Sequence, residues 1–461
     1  MVTHDETLEA QISQWRNWLR RRPAIDEADV EELEGHLRDV VAALRERGLA
    51  ADEAFLVAVK RMGNLDAVSR EFAREHSERL WKQLVMPAVA DGAAARAASR
   101  ETWVVLALAF AAAVAIKLPE LFGYPQIGSG EGFFDNRLLY FPNVSFFVLP
   151  FLAGYFAWKR RLNRAGCVRL ALAFAVGGVA INAFPSAPPG HTLTLAALHL
   201  PIALWLVVGI AYTGGRWREG SGRMDFVRFS GELFIYYVLI ALGGGVLMAF
   251  TSLAFDAIGA DVNELVLQWL FPCGAMGAVI VAAWLVEAKQ SVVENMAPVL
   301  TRLFTPLFAA VLLAFLATMV WTGRGVDVER EVLIAFDLLL ALVLGLLLYA
   351  VSARDPQAPR GLFDGVQLLL IVCALVVDIV ALAAIAGRIS EFGLSPNKVA
   401  ALGENLVLLV NLSWSAWLYG RFLAGRGPFS ALVRWQTAYL PVYAAWAAFV
   451  VLVFPPLFGF K

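Results

Sequence analysis

A chain of 461 residues that is 59% hydrophobic and 17% charged, with 14 Trp and a mean hydropathy of +0.65, carries more apolar surface than a water-soluble fold can hide. The net charge of −1 argues against a nucleic-acid binder, which needs a basic surface to displace counterions from phosphates. Cys167, Cys273 and Cys373 lie in apolar stretches without CxxC spacing, so they read as small core hydrophobes rather than a disulfide framework or a thiolate metal site.

Residues 1 to 25 contain no apolar run able to act as the core of a signal peptide, so the N-terminus is expected to stay in the cytoplasm. From there to residue 85 the pattern predicts four short amphipathic helices. Leu8, Ile12, Trp15 and Leu19 form one apolar stripe and Val30, Leu33, Leu37, Val41 and Leu44 the next. Phe55, Val59 and Met62, then Leu65, Val68 and Phe72, supply two more. Thr3 with Glu6, and Asp26 with Asp29, resemble capping arrangements, and Pro23, Gly48 and Gly63 mark boundaries. Four stripes suffice for a small bundle, with His36 a solvated helix residue.

An Ala-rich linker, 86–100, leads into a continuously apolar region, 101–461. A helix needs about 20 mostly apolar residues to span hydrocarbon. Eleven such segments are centred near Leu108, Leu149, Ala175, Leu204, Ile240, Val279, Leu313, Leu342, Val376, Val410 and Phe449, and ten or twelve crossings are also compatible. The first is interrupted by Lys117, which is expected to snorkel to the headgroups. Most Lys and Arg of the connections, including Lys159, Arg160, Arg216, Arg228, Arg354, Arg360 and Arg421, fall on the side of the N-terminal bundle. That bias places the N-terminus inside and the C-terminus outside. The fold class expected is all-α: a small soluble bundle followed by a polytopic transmembrane bundle.

Two stretches carry resemblances. Trp15, Asp29-Val30-Glu31-Glu32-Leu33-Glu34-Gly35-His36-Leu37-Arg38, Gly48-Leu49, Asp52-Glu53-Ala54-Phe55, Arg61-Met62-Gly63-Asn64 and Glu71-Phe72-Ala73 together resemble the bacterial permease prefix domain. That family precedes membrane permease or signalling modules, which implies an intracellular regulatory or docking role. The run Gly387-Arg388-Ile389-Ser390-Glu391-Phe392-Gly393-Leu394-Ser395-Pro396-Asn397-Lys398 is similar to the "RIxEYGLTPNR" signature of the uncharacterised membrane family DUF4153, with Ser395 and Lys398 at positions where Thr and Arg are usual. No activity comes with that name.

Ionisable groups inside hydrocarbon cost a few kcal/mol each, so those that persist face a bundle interior or a wet cavity. Asp337, Asp378 and Glu404 are the deepest by position. Asp364, Gln367 and Asp378 lie within about 60° of one another on the ninth span, and Glu404, Asn411 and Ser415 within about 40° on the tenth, at 100° per residue. The loop between these spans predicts that the two stripes meet in a hairpin. They read either as an ion or proton pathway or as hydrogen-bonded glue between helices. In that loop Gly393 and Pro396 impose a turn and Ser395 could cap the following helix. Arg388 and Lys398 either meet an anion or pair with Glu391. His199 and Asn182 read as side chains bonded to a neighbouring helix.

Phosphate-loop, HExxH and GxSxG patterns are absent, so no enzyme class is indicated, and no cofactor is called for. A carboxylate pair of Asp337 and Asp378 is the one catalytic alternative. The expected partners are the lipid bilayer, an ion or small solute, and a cytoplasmic protein at residues 1–85. Two functional readings stay open: a permease with a pathway through Asp337, Asp378 and Glu404, or a non-transporting sensor or partner subunit relaying a signal through the N-terminal domain.

Overall fold

The computed structural model describes residues 8–9, 11–13, 15–16, 27–46, 50–51, 54–55, 57–58, 92–124, 139–185, 190–256, 261–288, 296–322 and 330–460. The chain divides into two compact units, Met1–Arg100 and Glu101–Lys461. Among the described residues all regular structure is helical.

In the first unit helix α1, Glu27–Glu46, buries Val30, Leu37, Val41 and Leu44. They share one core with Leu8, Ile12 and Trp15 and with Ala51, Ala54 and Ala58, as the stripes require. His36 is exposed. Across this core Arg38 makes a forked pair with Glu9, at 2.5 and 3.1 Å, and a second with Glu34 at 2.8 Å. The caps at Thr3 and Asp26, the boundaries at Pro23, Gly48 and Gly63, and the stripes from Val59 to Phe72 lie outside the described residues.

In the second unit, and leading into it, the long helices are α2 Gly92–Ala115, α3 Leu149–Lys159, α4 Arg164–Ala183, α5 His191–Tyr212, α6 Gly220–Asp256, α7 Phe271–Ala288, α8 Met296–Thr322, α9 Arg330–Ala353, α10 Leu362–Phe392, α11 Pro396–Leu423 and α12 Ser430–Leu452. Among the described residues ten segments, Tyr140–Lys159 and stretches of the helices α4 to α12, are long and apolar enough to cross a membrane. The chain is a polytopic α-helical membrane protein, and its outward apolar side chains, such as Leu242, Leu247 and Phe250 of α6, meet the bilayer.

The remaining segment, α2, carries Arg96, Arg100 and Glu101 in its first half, so its apolar stretch runs only from Trp103 to Ile116. At 1.5 Å per residue that is about 21 Å, short of the ~30 Å hydrocarbon core. Lys117 does not reach outward to the headgroups. It is buried, pairs with Glu120 at 2.5 Å and lies 4.7 Å from the Trp269 ring centroid.

Contacts sort the helix ends into two layers. At one end Lys159 binds Glu101 at 2.8 Å, and Arg160 grips both oxygens of Glu287 at 2.9 Å. There too Arg228 donates to the Ser352 carbonyl at 2.7 Å and Arg354 binds Asp364. At the opposite end Asn143 and Asn182 exchange hydrogen bonds at 2.9 and 2.8 Å, Asn397 meets His191 at 3.2 Å, and Phe184 packs on Phe460. Glu101 therefore lies at the arginine-rich end and Lys117, beside Trp269, at the other. Short as its apolar stretch is, α2 traverses the bundle, and Glu101 and Leu452 finish in opposite layers.

Two apolar cores fill the interior. One joins α3, α5, α6 and α7 through stacked Tyr212, Phe226 and Phe229, and the other joins α9 to α12. A Cβ at Gly209 would meet the rings of Trp217 and Phe226 at 2.6 and 2.8 Å, so glycine is what lets this aromatic stack close on α5.

Candidate functional site

The three acids singled out by sequence position stand on three neighbouring helices: Asp337, partly buried, on α9, Asp378, fully buried, on α10 and Glu404, partly buried, on α11. The inward face of α10, with Leu370, Ala374, Val377, Ala381 and Ile385 all buried, carries Asp378 into the interface. Asp378 is fully buried, and neither of its carboxylate oxygens has a hydrogen-bond partner. Asp337 accepts from Asn405 Nδ2 at 2.8 Å, while Asn405 Oδ1 is buried without a donor. The three helices pack on one another pairwise, which gathers the three acids' helices at one interface. Glu404 reaches the wall of a cavity of 740 Å³.

An ionised carboxylate with no partner costs several kcal/mol in a low-dielectric interior. Asp378 must therefore be compensated by a proton, or by a cation arriving from elsewhere. Among the described residues no group of three His, Cys, Asp or Glu is arranged to hold a metal ion. The three acids stand on three packed helices and form no such group.

The other residues of the two polar stripes take different partners. Asp364 lies in the arginine-rich layer, where Arg354 binds it at 2.8 and 3.1 Å and the Gly361 amide donates to it at 2.9 Å. Gln367 donates to Thr305 Oγ1 on α8 at 3.0 Å. Asn411 and Ser415 belong to a buried cluster with Gln436 of α12, in which Gln436 Nε2 donates to Ser415 Oγ at 2.7 Å and Asn411 Nδ2 to Gln436 Oε1 at 3.1 Å. Helices α10 and α11 do pack as a hairpin, but their polar side chains turn to three other helices. These bonds tie helices together as glue does.

In the connecting loop Gly393 adopts φ +74°, the turn its sequence announces. Ser395 occupies the N-cap of α11 in extended conformation, but its side chain makes no cap bond; Pro396 starts the helix instead. Lys398 donates to the carbonyls of Arg388 and Gly393 at 3.1 and 2.8 Å and lies over the Phe392 ring, so it closes the end of α10 rather than pairing with Glu391. His199 bonds the Leu195 carbonyl of its own helix, not a neighbouring one, whereas Asn182 does reach across to Asn143.

Sequence reasoning passed over several groups. Asn405 adjoins Glu404 but falls outside the stripe drawn through it, and Gln436 and Thr305 are single polar residues in apolar runs. Glu287 stands at the end of an apolar run with nothing in its neighbours to mark it, yet its side chain is 2% exposed and held by both Lys159 and Arg160. Near that cluster a polar recess of 570 Å³ is lined by Arg160, Arg216, Glu219, Asp225, Arg228 and Glu232. No signal in one sequence pairs charges from different helices.

No family model, no curated protein and no solved structure matches this chain. Its class rests on its own architecture: an all-α polytopic membrane protein with one fully buried carboxylate, Asp378, and two partly buried ones, Asp337 and Glu404, on the packed helices α9, α10 and α11.

Proposed function

We propose that this chain is a permease-like protein of the bacterial inner membrane that moves protons through a relay of Asp378, Asp337 and Glu404. The observation that carries this reading is Asp378, wholly buried with both oxygens unpartnered where α10 packs on α9 and α11. Intramembrane acids that survive the cost of burial serve ion and proton pathways in preference to lipid-facing positions. Asp337 is held by Asn405, the residue that follows Glu404, and Glu404 lines a cavity wall.

The arginine-rich layer supports an inside placement for that end, and hence for the N-terminus, with the C-terminus outside. The resemblance of residues 15–73 to the permease prefix domain supports a cytoplasmic docking or regulatory role for the first unit. Similarity of Gly387–Lys398 to the DUF4153 signature supports membership of that family for the membrane unit.

In cells carrying a cytoplasmic pH reporter, Asp378→Asn and Glu404→Gln should accumulate in the membrane as the unmodified protein does, yet abolish its effect on internal pH. Unchanged pH responses in both variants would put the sensor reading ahead. Poor accumulation of both would assign the acids to structure alone.

A further inference from the structure

Three helices end in the same way in the arginine-rich layer. After α5, Gly215 N donates to the Ile210 carbonyl at 2.9 Å and Gly214 N to that of Ala211 at 3.0 Å. After α11, Arg426 N donates to Arg421 at 2.8 Å and Gly425 N to Phe422 at 3.0 Å; after α3, Leu162 N donates to Ala157 at 2.9 Å and Arg161 N to Trp158 at 3.2 Å. Each end needs one residue in the left-handed region, which favours glycine because it has no Cβ. Gly214 at φ +62° and Gly425 at φ +78° meet that need, but α3 places Arg161 there, at φ +50°. Arg161 is exposed, and among the described residues its side chain makes no hydrogen bond or ion pair that would offset the strain.

The turns after α3 and α5 touch. A Cβ at Gly215 would lie 3.2 Å from Leu162 Cδ1 and one at Gly214 3.4 Å from Arg160 Cβ, and Arg160 Nε donates to the Tyr212 carbonyl at 3.2 Å. Residues 157–169 and 213–223, which flank this contact, contain eight Lys or Arg and one acid, Glu219. Lys159 and Arg160 are paired with Glu101 and Glu287. Arg161, Arg164, Arg216 and Arg218 are exposed, and none pairs with a carboxylate among the described residues. Such a surplus of cations attracts an anion, and guanidinium forks match phosphate oxygens.

Helix α4 supplies the rest of the ligand's chemistry. Arg164 opens that helix, and Val168, Leu172, Val176 and Val179, all exposed, continue from it along one face. From Arg164 to Val179 the stripe is about 22 Å long, enough to span one leaflet of a ~30 Å hydrocarbon core. Exposed Trp158, just before the cluster, belongs at the headgroup level. Cations at the interface with an apolar stripe running inward from them fit a molecule with an anionic head and a hydrocarbon tail.

We propose that the turns after α3 and α5 hold an anionic phospholipid, its phosphodiester among Arg161, Arg164 and Arg216 and an acyl chain along Val168, Leu172 and Val176. The site is separate from the proton relay and rests only on this layer lying at a membrane–water interface.

The test uses full-length protein in phosphatidylcholine vesicles with a trace of phosphatidylglycerol that carries a diazirine in one acyl chain. A parallel sample carries diazirine phosphatidylcholine instead. After illumination, adducts on Val168 and Leu172 should be several-fold more abundant with phosphatidylglycerol, whereas adducts on Leu242 and Leu247 of α6 should not differ. Arg161→Gly should lower that preference about fivefold, the weight of one interfacial cation. It should leave the thermal midpoint in detergent unchanged or higher, because glycine suits the left-handed turn. Arg164→Gln should act similarly on labelling, while Arg426→Gln, at the turn after α11, and Asp378→Asn should label as the unmodified protein does.

Equal labelling of α4 by the two lipids would overturn the proposal, as would a preference that survives Arg161→Gly combined with Arg164→Gln. An equal loss in Arg426→Gln would replace the site by the diffuse charge of the whole layer. Displacement of the label by inorganic phosphate at constant ionic strength would overturn the lipid as occupant and assign the arginines to a soluble phosphate.

Discussion

Asn405 Nδ2 donates to Asp337 Oδ1 at 2.8 Å, and this bond ties α11 to α9 one residue beyond Glu404. The same nitrogen donates to the Ala401 carbonyl at 2.8 Å, so the amide is locked with its donor toward the acid. Asn405→Ala should cost about 1–3 kcal/mol, the penalty for stranding a buried acceptor, and be seen as a lower thermal midpoint in detergent. Asn405→Asp, which exchanges the donor for another acid, should cost more.

Arg354 should be irreplaceable at the start of α10. Its guanidinium binds both oxygens of Asp364 and the carbonyls of Ala358 and Pro359, and stacks on Phe422 and Phe429 at 4.8 and 4.3 Å. Arg354→Ala leaves a buried carboxylate, for which about 3 kcal/mol is expected. Arg354→Lys should recover little, because an ammonium lacks the planar fork. Thermal unfolding of the two variants compares them directly.

Gly403→Ala should destabilise although alanine favours helix. The new methyl would fall 1.9 Å from Trp446 Cη2, where the indole must leave its notch. Gly420→Ala on the same helix, where a Cβ meets nothing within 4 Å, should be neutral or stabilising. Combining Gly403→Ala with Trp446→Leu should restore much of the loss, as coupled neighbours do.

The first unit should lose stability in acid. A hydrogen bond from Arg38 is the main cause that holds the Glu9 carboxyl below its ordinary value. With a folded pKa below the unfolded one, the pair's contribution is fully present above the unfolded value, near 4.5, and disappears as pH falls through the folded one. Both partners are solvent-accessible, so the effect is small. Helix content of a fragment spanning residues 1–100 should be flat from neutral pH down to about 5 and then decline. Arg38→Ala should flatten the decline.

The helical class, the span positions and the buried stripe of α1 were legible because each depends on local periodicity: Val30, Leu37, Val41 and Leu44 recur on one face whatever they pack against. The burial of Asp378 was legible for the same reason, whereas Asp337 and Glu404 are only partly buried. Which helix each polar residue faces was not. Helical angles put Asp364, Gln367 and Asp378 on one side of α10, yet along a helix of 31 residues they lie at different levels: Asp364 meets Arg354 of the α9–α10 turn, Gln367 meets α8, and Asp378 has no hydrogen-bond partner. Snorkelling of Lys117 presumes a lipid-exposed stem, whereas Glu120 one turn later offers a nearer partner. Glu287 gives no sign of its burial in sequence because its partners, Lys159 and Arg160, are more than a hundred residues away.

The most direct test of the relay is a voltage-driven proton flux measured in proteoliposomes. Purified full-length protein, reconstituted in phosphatidylcholine and phosphatidylglycerol with a pH dye enclosed, receives a potassium diffusion potential set by valinomycin. The account predicts that the unmodified protein shifts internal pH well above the leak of protein-free vesicles, and that Asp378→Asn, equally incorporated and equally folded, returns the rate to that leak. Flux in Asp378→Asn and Glu404→Gln equal to that of the unmodified protein, or no flux above leak from the unmodified protein itself, would contradict it.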